Sequence, residues 1–257
     1  MILHTREWGS MTAPAVVCLH GIGGHGGRFR RLAEERLAGR FRVIALDLRG
    51  HGRSDYDPPW DLDTHVADLV ETASALGFDD PVTWLGHSFG ARLVMELSED
   101  APDLVGRAVL LDPPIWVPPP IALERAEEAR TAQSYASFED ALAAFPVADD
   151  DGQRRLLEEE LGAHLIGATD GRLRWRVCQS AVVCGYAELT KVPPLTALEH
   201  PALLVRGAES EVVPDLLLEA YREAAGSLLE VVTVPGGHTV LWDSFAETAD
   251  AIETFLP

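Results

Sequence analysis

An open, mostly parallel β-sheet covered on both faces by helices, with one helical insertion, is the fold that three observations predict. Short runs rich in Val, Leu and Ile alternate along the chain with segments of helical periodicity, the pattern of an α/β layer structure. The alternation stops after Asp112, where Pro113 and Pro114 and then Pro118, Pro119 and Pro120 interrupt it, and it resumes only past Pro193, Pro194 and Pro201. The length, 257 residues, suits one large α/β domain that carries an insertion. The core is therefore expected at residues 1–112 and 200–257, and an inserted helical cap at 113–199.

Strands are expected at residues 3–8, 15–20, 41–47, 82–85, 107–112, 202–207 and 229–234, each short and rich in branched apolar side chains. Leu62, Val66, Leu69, Val70, Ala73 and Leu76 recur at helical spacing and form one apolar stripe. Further helices begin near Phe89, Pro214 and Ser244. Within the insertion, residues 121–145 and 153–165 read as amphipathic helices separated by the acidic turn Asp149, Asp150, Asp151 and Gly152. The cap is expected to hold no second sheet.

Composition narrows the partners. With 47% hydrophobic and 24% charged residues the chain is globular, and its formal net charge of −20 repels phosphate backbones and anionic lipid. No nucleic acid or membrane partner is expected, only a small-molecule substrate, with the chain a monomer or a homodimer. Arg6 and Glu7 stand where a signal peptide would need an unbroken apolar stretch, so a soluble, cytoplasmic protein is expected. Cys18, Cys178 and Cys184 form neither a disulfide framework nor a zinc ligand set and read as buried thiols.

Gly86-His87-Ser88-Phe89-Gly90 lies between the strand at 82–85 and the helix that begins at Phe89, the context of a nucleophile elbow. A serine on so tight a turn sits in a strained backbone, and glycines two positions to either side let strand and helix approach. The bland alternative is a glycine-bounded turn with an idle serine, and two further segments weigh against it. His238, in Val234-Pro-Gly-Gly-His238, follows the last strand, where a loop overhangs the carboxyl end of the sheet and can bring a base to Ser88. Leu19-His20-Gly21-Ile22-Gly23-Gly24 offers bare backbone N–H groups at the same end, and those of Ile22 and Phe89 would stabilise an oxyanion.

The glycine loop has a competing reading. Gly21, Gly23 and Gly26 match the spacing of a dinucleotide fingerprint, and Asp47 ends the next strand where a ribose-binding carboxylate belongs. That reading leaves Ser88 and His238 unexplained, so no organic cofactor or metal is expected. Asp47, Arg49, Gly50, His51, Gly52, Arg53 and Ser54 are then a structural polar turn.

In these segments the chain resembles the α/β-hydrolase superfamily, and within it the small bacterial enzymes with a helical cap. The resemblance spans the whole chain and rests on Leu19-His20-Gly21, Asp47-Leu-Arg-Gly-His-Gly-Arg-Ser54, Gly86-His-Ser-Phe-Gly90, Leu203-Leu-Val-Arg-Gly207 and Gly237-His238, in the family's order and spacing. It implies Ser88 as nucleophile, His238 as base, and Ile22 and Phe89 as oxyanion donors. Serine at the elbow disfavours the dehalogenase and epoxide-hydrolase branches, which carry aspartate there. The departure is at the acid. The family usually places an aspartate shortly after the glycine that ends the penultimate strand, whereas this chain reads Gly207-Ala-Glu-Ser-Glu-Val-Val-Pro214. Glu211 is the first choice for that role, Asp112 at the end of the preceding strand is its rival, and Glu209 stands behind both.

The resemblance implies hydrolysis of a small carboxylic ester, lactone or related acyl substrate. The alternatives are a carbon–carbon bond hydrolase or cofactor-free haloperoxidase on the same triad, or a non-catalytic receptor of the same fold. Arg172, Arg174, Trp175 and Arg176 concentrate positive charge in the cap, with Trp116 and Tyr135 nearby in the insertion; a solvated face with Trp175 packed inside the cap is the expected role.

Overall fold

The computed structural model describes residues 1–131, 133–145, 151–196 and 198–257. Its strands are β1 (His4–Trp8), β2 (Ala15–Leu19), β3 (Arg42–Asp47), β4 (Val82–His87), β5 (Val105–Leu111), β6 (Ser134–Tyr135), β7 (Leu165–Gly167), β8 (Leu173–Trp175), β9 (Ala202–Gly207) and β10 (Leu229–Val234). Seven of them form one sheet in the order β1-β3-β2-β4-β5-β9-β10. All neighbours in it are parallel except β1, which runs antiparallel to β3.

The helices are α1 (Arg30–Leu32), α2 (Leu62–Ala75), α3 (Phe89–Asp100), α4 (Pro119–Arg130), α5 (Phe138–Ala143), α6 (Asp151–His164), α7 (Gln179–Glu188), α8 (Asp215–Ala225), α9 (Val240–Asp243) and α10 (Phe245–Phe255). Helix α2 starts where it does because the Asp61 carboxylate accepts the Thr64 N–H at 2.8 Å, capping the first turn. Successive side chains of a strand point to opposite faces, so β2 serves two cores. Val17 and Leu19 join Ile44, Trp84, Leu69 and Leu93 on one face, while Val16 and Cys18 join Val43, Leu85, Leu32 and Ile252 on the other. Both faces being covered, β3 is buried along its whole length, as a central parallel strand should be. Burial pushes the Cys18 thiol up; Cys178 and Cys184, expected to be buried too, are only half-buried.

The inserted segment departs from the purely helical expectation. Strands β6, β8 and β7 make a second, three-stranded antiparallel sheet, and the helix expected over 121–145 ends at Arg130. Period-two patterning wins here: Tyr135, Leu173 and Trp175 turn inward onto Ala141, Leu157 and Leu161, while Arg174 pairs with Asp170 on the outside. A new helix then begins at Phe138, its N-cap Ser137 accepting the Asp140 N–H at 3.0 Å. Of the expected acidic turn, Asp149 and Asp150 lie outside the described residues, and Asp151 opens α6.

Both stalks of the insertion meet at Arg92 of α3, which is fully buried. Its guanidinium donates to the Ile115 carbonyl at 2.9 Å, to the Val192 carbonyl at 3.0 Å and to Glu96 at 2.6 Å. Replacing Arg92 with Met preserves the bulk but strands those acceptors without donors, so urea unfolding should show a loss of about 3–5 kcal/mol. A loss below about 1 kcal/mol would mean that the stalks are held elsewhere.

Candidate active site

The site is built at the carboxyl ends of β2, β4, β5, β9 and β10. Between β4 and α3, Ser88 takes φ 54° and ψ −121°, a conformation that costs a side-chain-bearing residue of order 1–3 kcal/mol. The turn is possible because a Cβ on Gly86 would stand 2.3 Å from the Gly90 carbonyl carbon, and one on Gly90 2.2 Å from the Leu19 oxygen. The Ser88 N–H is fixed by the Leu111 carbonyl at 3.0 Å.

His238 sits in the loop between β10 and α9. Gly236 lies at φ 86° and the Gly237 N–H donates to Asp243 at 3.0 Å, which folds the loop back over the sheet. The imidazole Nε2 lies 2.9 Å from Ser88 Oγ, and Nδ1 lies 2.7 Å from Asp112 Oδ2. Asp112 is fully buried at φ 45°. Its carboxylate also accepts the Gly207 N–H at 2.9 Å and the Ser210 hydroxyl at 2.5 Å.

The expected acid partner is thereby corrected. The carboxylate on the His238 ring is that of Asp112, while Glu211 and Glu209 are exposed. The physical reason is that the loop after β9 turns Ser210 inward onto Asp112, and its neighbours at 209 and 211 face solvent. Ser210 carries no sequence signal of its own: a lone hydroxyl between two glutamates is not distinguished by any motif. His87 was missed too: its Nε2–H donates to the His238 carbonyl at 2.9 Å, pinning the backbone of the histidine loop.

Phe89 occupies the first position of α3, where an N–H has no intrahelical acceptor. In the loop after β2, the Gly23 N–H is taken by His51 Nε2 at 3.0 Å and the Gly24 N–H by the Gly21 carbonyl at 3.0 Å. Neither the Ile22 nor the Phe89 N–H donates to a described residue. A Cβ on Gly21 would stand 3.0 Å from Ser88 Cβ, so the loop lies directly against the serine. Asp47, the candidate ribose ligand, is fully buried with its oxygens on the N–H groups of Gly26 at 2.7 Å and Arg53 at 2.9 Å. It ties loops together and is not presented to a ligand. In the inserted segment, Trp116 donates to the Thr190 carbonyl at 2.9 Å, Arg172 holds Ser134, and Trp175 packs edge-on to Phe145.

Comparisons with known proteins identify the family. The sequence model described as "Alpha/beta hydrolase family" matches residues 16–251. The chain belongs to the alpha/beta hydrolase family. It is similar to Lipase LipV of Mycobacterium tuberculosis, 32% identical over 99% of this chain and 97% of that protein, and to Esterase YbfF of Escherichia coli, 28% identical over 92% and 89%. Among solved structures, E-2-(acetamidomethylene)succinate hydrolase superposes with a TM-score of 0.85 at 28% identity, covering 98% of this chain and 94% of that one. The protein is an enzyme of the hydrolase class, and no helix among its described residues is long and apolar enough to cross a membrane.

Histidines crowd this end of the alpha/beta hydrolase core. Burial lowers the pKa of His51 and His65 to about 4 and that of His87 and His164 to about 3, and holds His20 well below the ordinary value. Next after burial, His51 depresses His20 and His65, His238 depresses His87, and His25 depresses His164. Well above pH 6.5, from about pH 8, these rings are neutral whether the chain is folded or not, and they add no pH dependence. Below it the unfolded chain takes up protons that the folded protein refuses, at up to about 1.4 kcal/mol per pH unit for each ring. Stability in urea should thus fall by at least about 3 kcal/mol between pH 6.5 and pH 5; an unchanged midpoint would mean that the rings accept protons in place.

Proposed function

We propose that this hydrolase cleaves a small carboxylic ester, lactone or related acyl substrate through an acyl-enzyme on Ser88. The observation that carries the reading is the unbroken chain of contacts from Asp112 through His238 to Ser88. Ser88 Oγ attacks the carbonyl carbon while its proton passes to His238 Nε2. Asp112, accepting from Nδ1–H, fixes the tautomer that leaves Nε2 free and stabilises the imidazolium that forms. The N–H groups of Ile22 and Phe89 receive the oxyanion. Collapse of the intermediate breaks the bond to the leaving oxygen, which takes the proton from His238, and water repeats the sequence to release the acid.

The named activities of the lipase and the esterase support an ester substrate. The likeness to a hydrolase whose named substrate carries an acetamide favours a second reading, cleavage of a non-ester bond by the same residues. A panel of p-nitrophenyl esters of graded chain length, set beside amide and carbon–carbon substrates, separates the two.

Replacing Ser88 with Ala should lower kcat by on the order of 10⁵–10⁶ and abolish labelling by a fluorophosphonate. Asp112→Asn, which keeps the shape and tolerates positive φ, should lower kcat by roughly three to four decades, while Glu211→Gln stays within about twofold of the parent because it is solvated. The reverse ranking in steady-state assays would return the acid role to Glu211.

A further inference from the structure

The loop that carries Ile22 is gripped from two sides. On the core side, His51 Nδ1–H donates to the Arg49 carbonyl at 3.0 Å, which leaves Nε2 to accept the Gly23 N–H. His20 Nδ1–H donates to the Gly21 carbonyl at 2.8 Å. On the cap side, Glu160 of α6 is 9% exposed and accepts from His25 Nε2 at 3.0 Å and from Arg28 Nε at 2.7 Å. His25 Nδ1 accepts the Gly27 N–H at 3.1 Å, so the ring spans the turn that follows the loop. His164, one turn beyond Glu160, stacks on His25 with ring centroids 4.0 Å apart. Helix α7 completes the grip: a Cβ on Gly185 would stand 3.2 Å from Ile22 Cδ1 and 3.3 Å from Cγ1.

We propose that Glu160 is a positioning residue: by seating on His25 and Arg28 it makes the cap a clamp on the 21–24 loop and so sets the Ile22 N–H in the oxyanion hole. The proposal rests on the serine-hydrolase reading for its catalytic consequence. A buried ion pair adds little stability that apolar side chains of the same volume would not add, but it fixes one geometry where apolar surfaces slide. Burial opposes the Glu160 charge, yet Arg28 and then His25 hold its pKa below the usual carboxylate range. The carboxylate therefore grips with charge-assisted hydrogen bonds.

Glu160→Gln keeps the shape and weakens the grip. With enzyme concentration set by active-site titration, kcat should fall about tenfold at a KM changed less than about twofold, since a donor slightly out of place costs the transition state and not the ground state. The affinity of a boronic acid that forms a tetrahedral adduct on Ser88 should fall by the same factor. Hydrogen exchange at the amides of residues 22–24 should quicken, a readout that holds whether or not the protein turns over an ester. If Glu160→Gln does not fold, Gly185→Ala, which presses a methyl on Ile22 from a helix that favours alanine, should give the same kcat and boronate signature. Amide exchange, kcat and boronate affinity all within about twofold of the parent in whichever variant folds would overturn the proposal, whatever happens to Tm. Quickened exchange in an enzyme that fluorophosphonate does not label would instead overturn the serine-hydrolase reading and leave the clamp standing.

Discussion

The close approach of β4, α3 and the end of β2 is the constraint on which the site depends. Neither Gly86 nor Gly90 can carry a side chain, since either Cβ would fall within 2.4 Å of backbone atoms. Once strand and helix cross this tightly, Ser88 has no relaxed conformation to adopt, and its positive φ follows from the crossing. The same crossing brings Leu19 against Gly90, so the loop leaving β2 lies against the serine, beside Phe89, whose N–H at the first position of α3 has no intrahelical acceptor. Burial in the two apolar layers of the sheet offsets the strain. Ser88 and the two N–H groups that the proposed mechanism assigns to the oxyanion thus share one packing event.

Asp112 shows how the constraint propagates and where sequence reading stops. Among the described residues only Ser88 and Asp112 carry positive φ without being glycine, and both end neighbouring parallel strands, β4 and β5. The strands, the elbow and the histidine loop were legible because they rest on local rules of period, glycine placement and strand end. Strand bounds expected from patterning agree with the structure to within two residues at both ends of β5 and β9 and at the start of β4. The choice between Asp112 and Glu211 depends on which way a seven-residue loop turns, and no local rule decides that. Here the Gly207 N–H and the Ser210 hydroxyl turn toward Asp112 and donate to it beside His238, while Glu211 stays exposed.

The inserted segment was less legible for a related reason. Segments such as Ser134-Tyr135 and Leu173-Arg174-Trp175 are too short for periodicity to declare itself. Their strand character exists only in pairing, Ser134 opposite Arg174 and Tyr135 opposite Leu173. The alternating arginines were legible as an extended, solvated face; that they edge a sheet was not.

How the inserted segment is attached explains why polar groups are buried beneath it. Its own apolar cluster, around Tyr135, Leu157 and Leu161, is separate from both layers of the sheet. Ile115 and Leu189 join the core cluster at the stalks. Elsewhere the close approach of Gly185 to Ile22 is joined by directional contacts: the Gly52 N–H on the Arg176 carbonyl at 3.0 Å, the Cys178 N–H on the Gly50 carbonyl at 2.8 Å, and Glu160 on His25 and Arg28. An attachment of this kind resists sliding more than it resists lifting, because a hydrogen bond fails over a few tenths of an ångström whereas apolar contact tolerates displacement. Each contact also lands on a segment next to the catalytic geometry, either the turn after β3 or the loop after β2. The neutral histidines between these segments suit the same demand. They supply a donor on one ring nitrogen and an acceptor on the other, without placing a competing positive charge beside His238. An inserted segment fixed in this way is tied to the loop after β2 through Glu160, His25 and Arg28, and under the proposed mechanism its seating bears on the oxyanion donors.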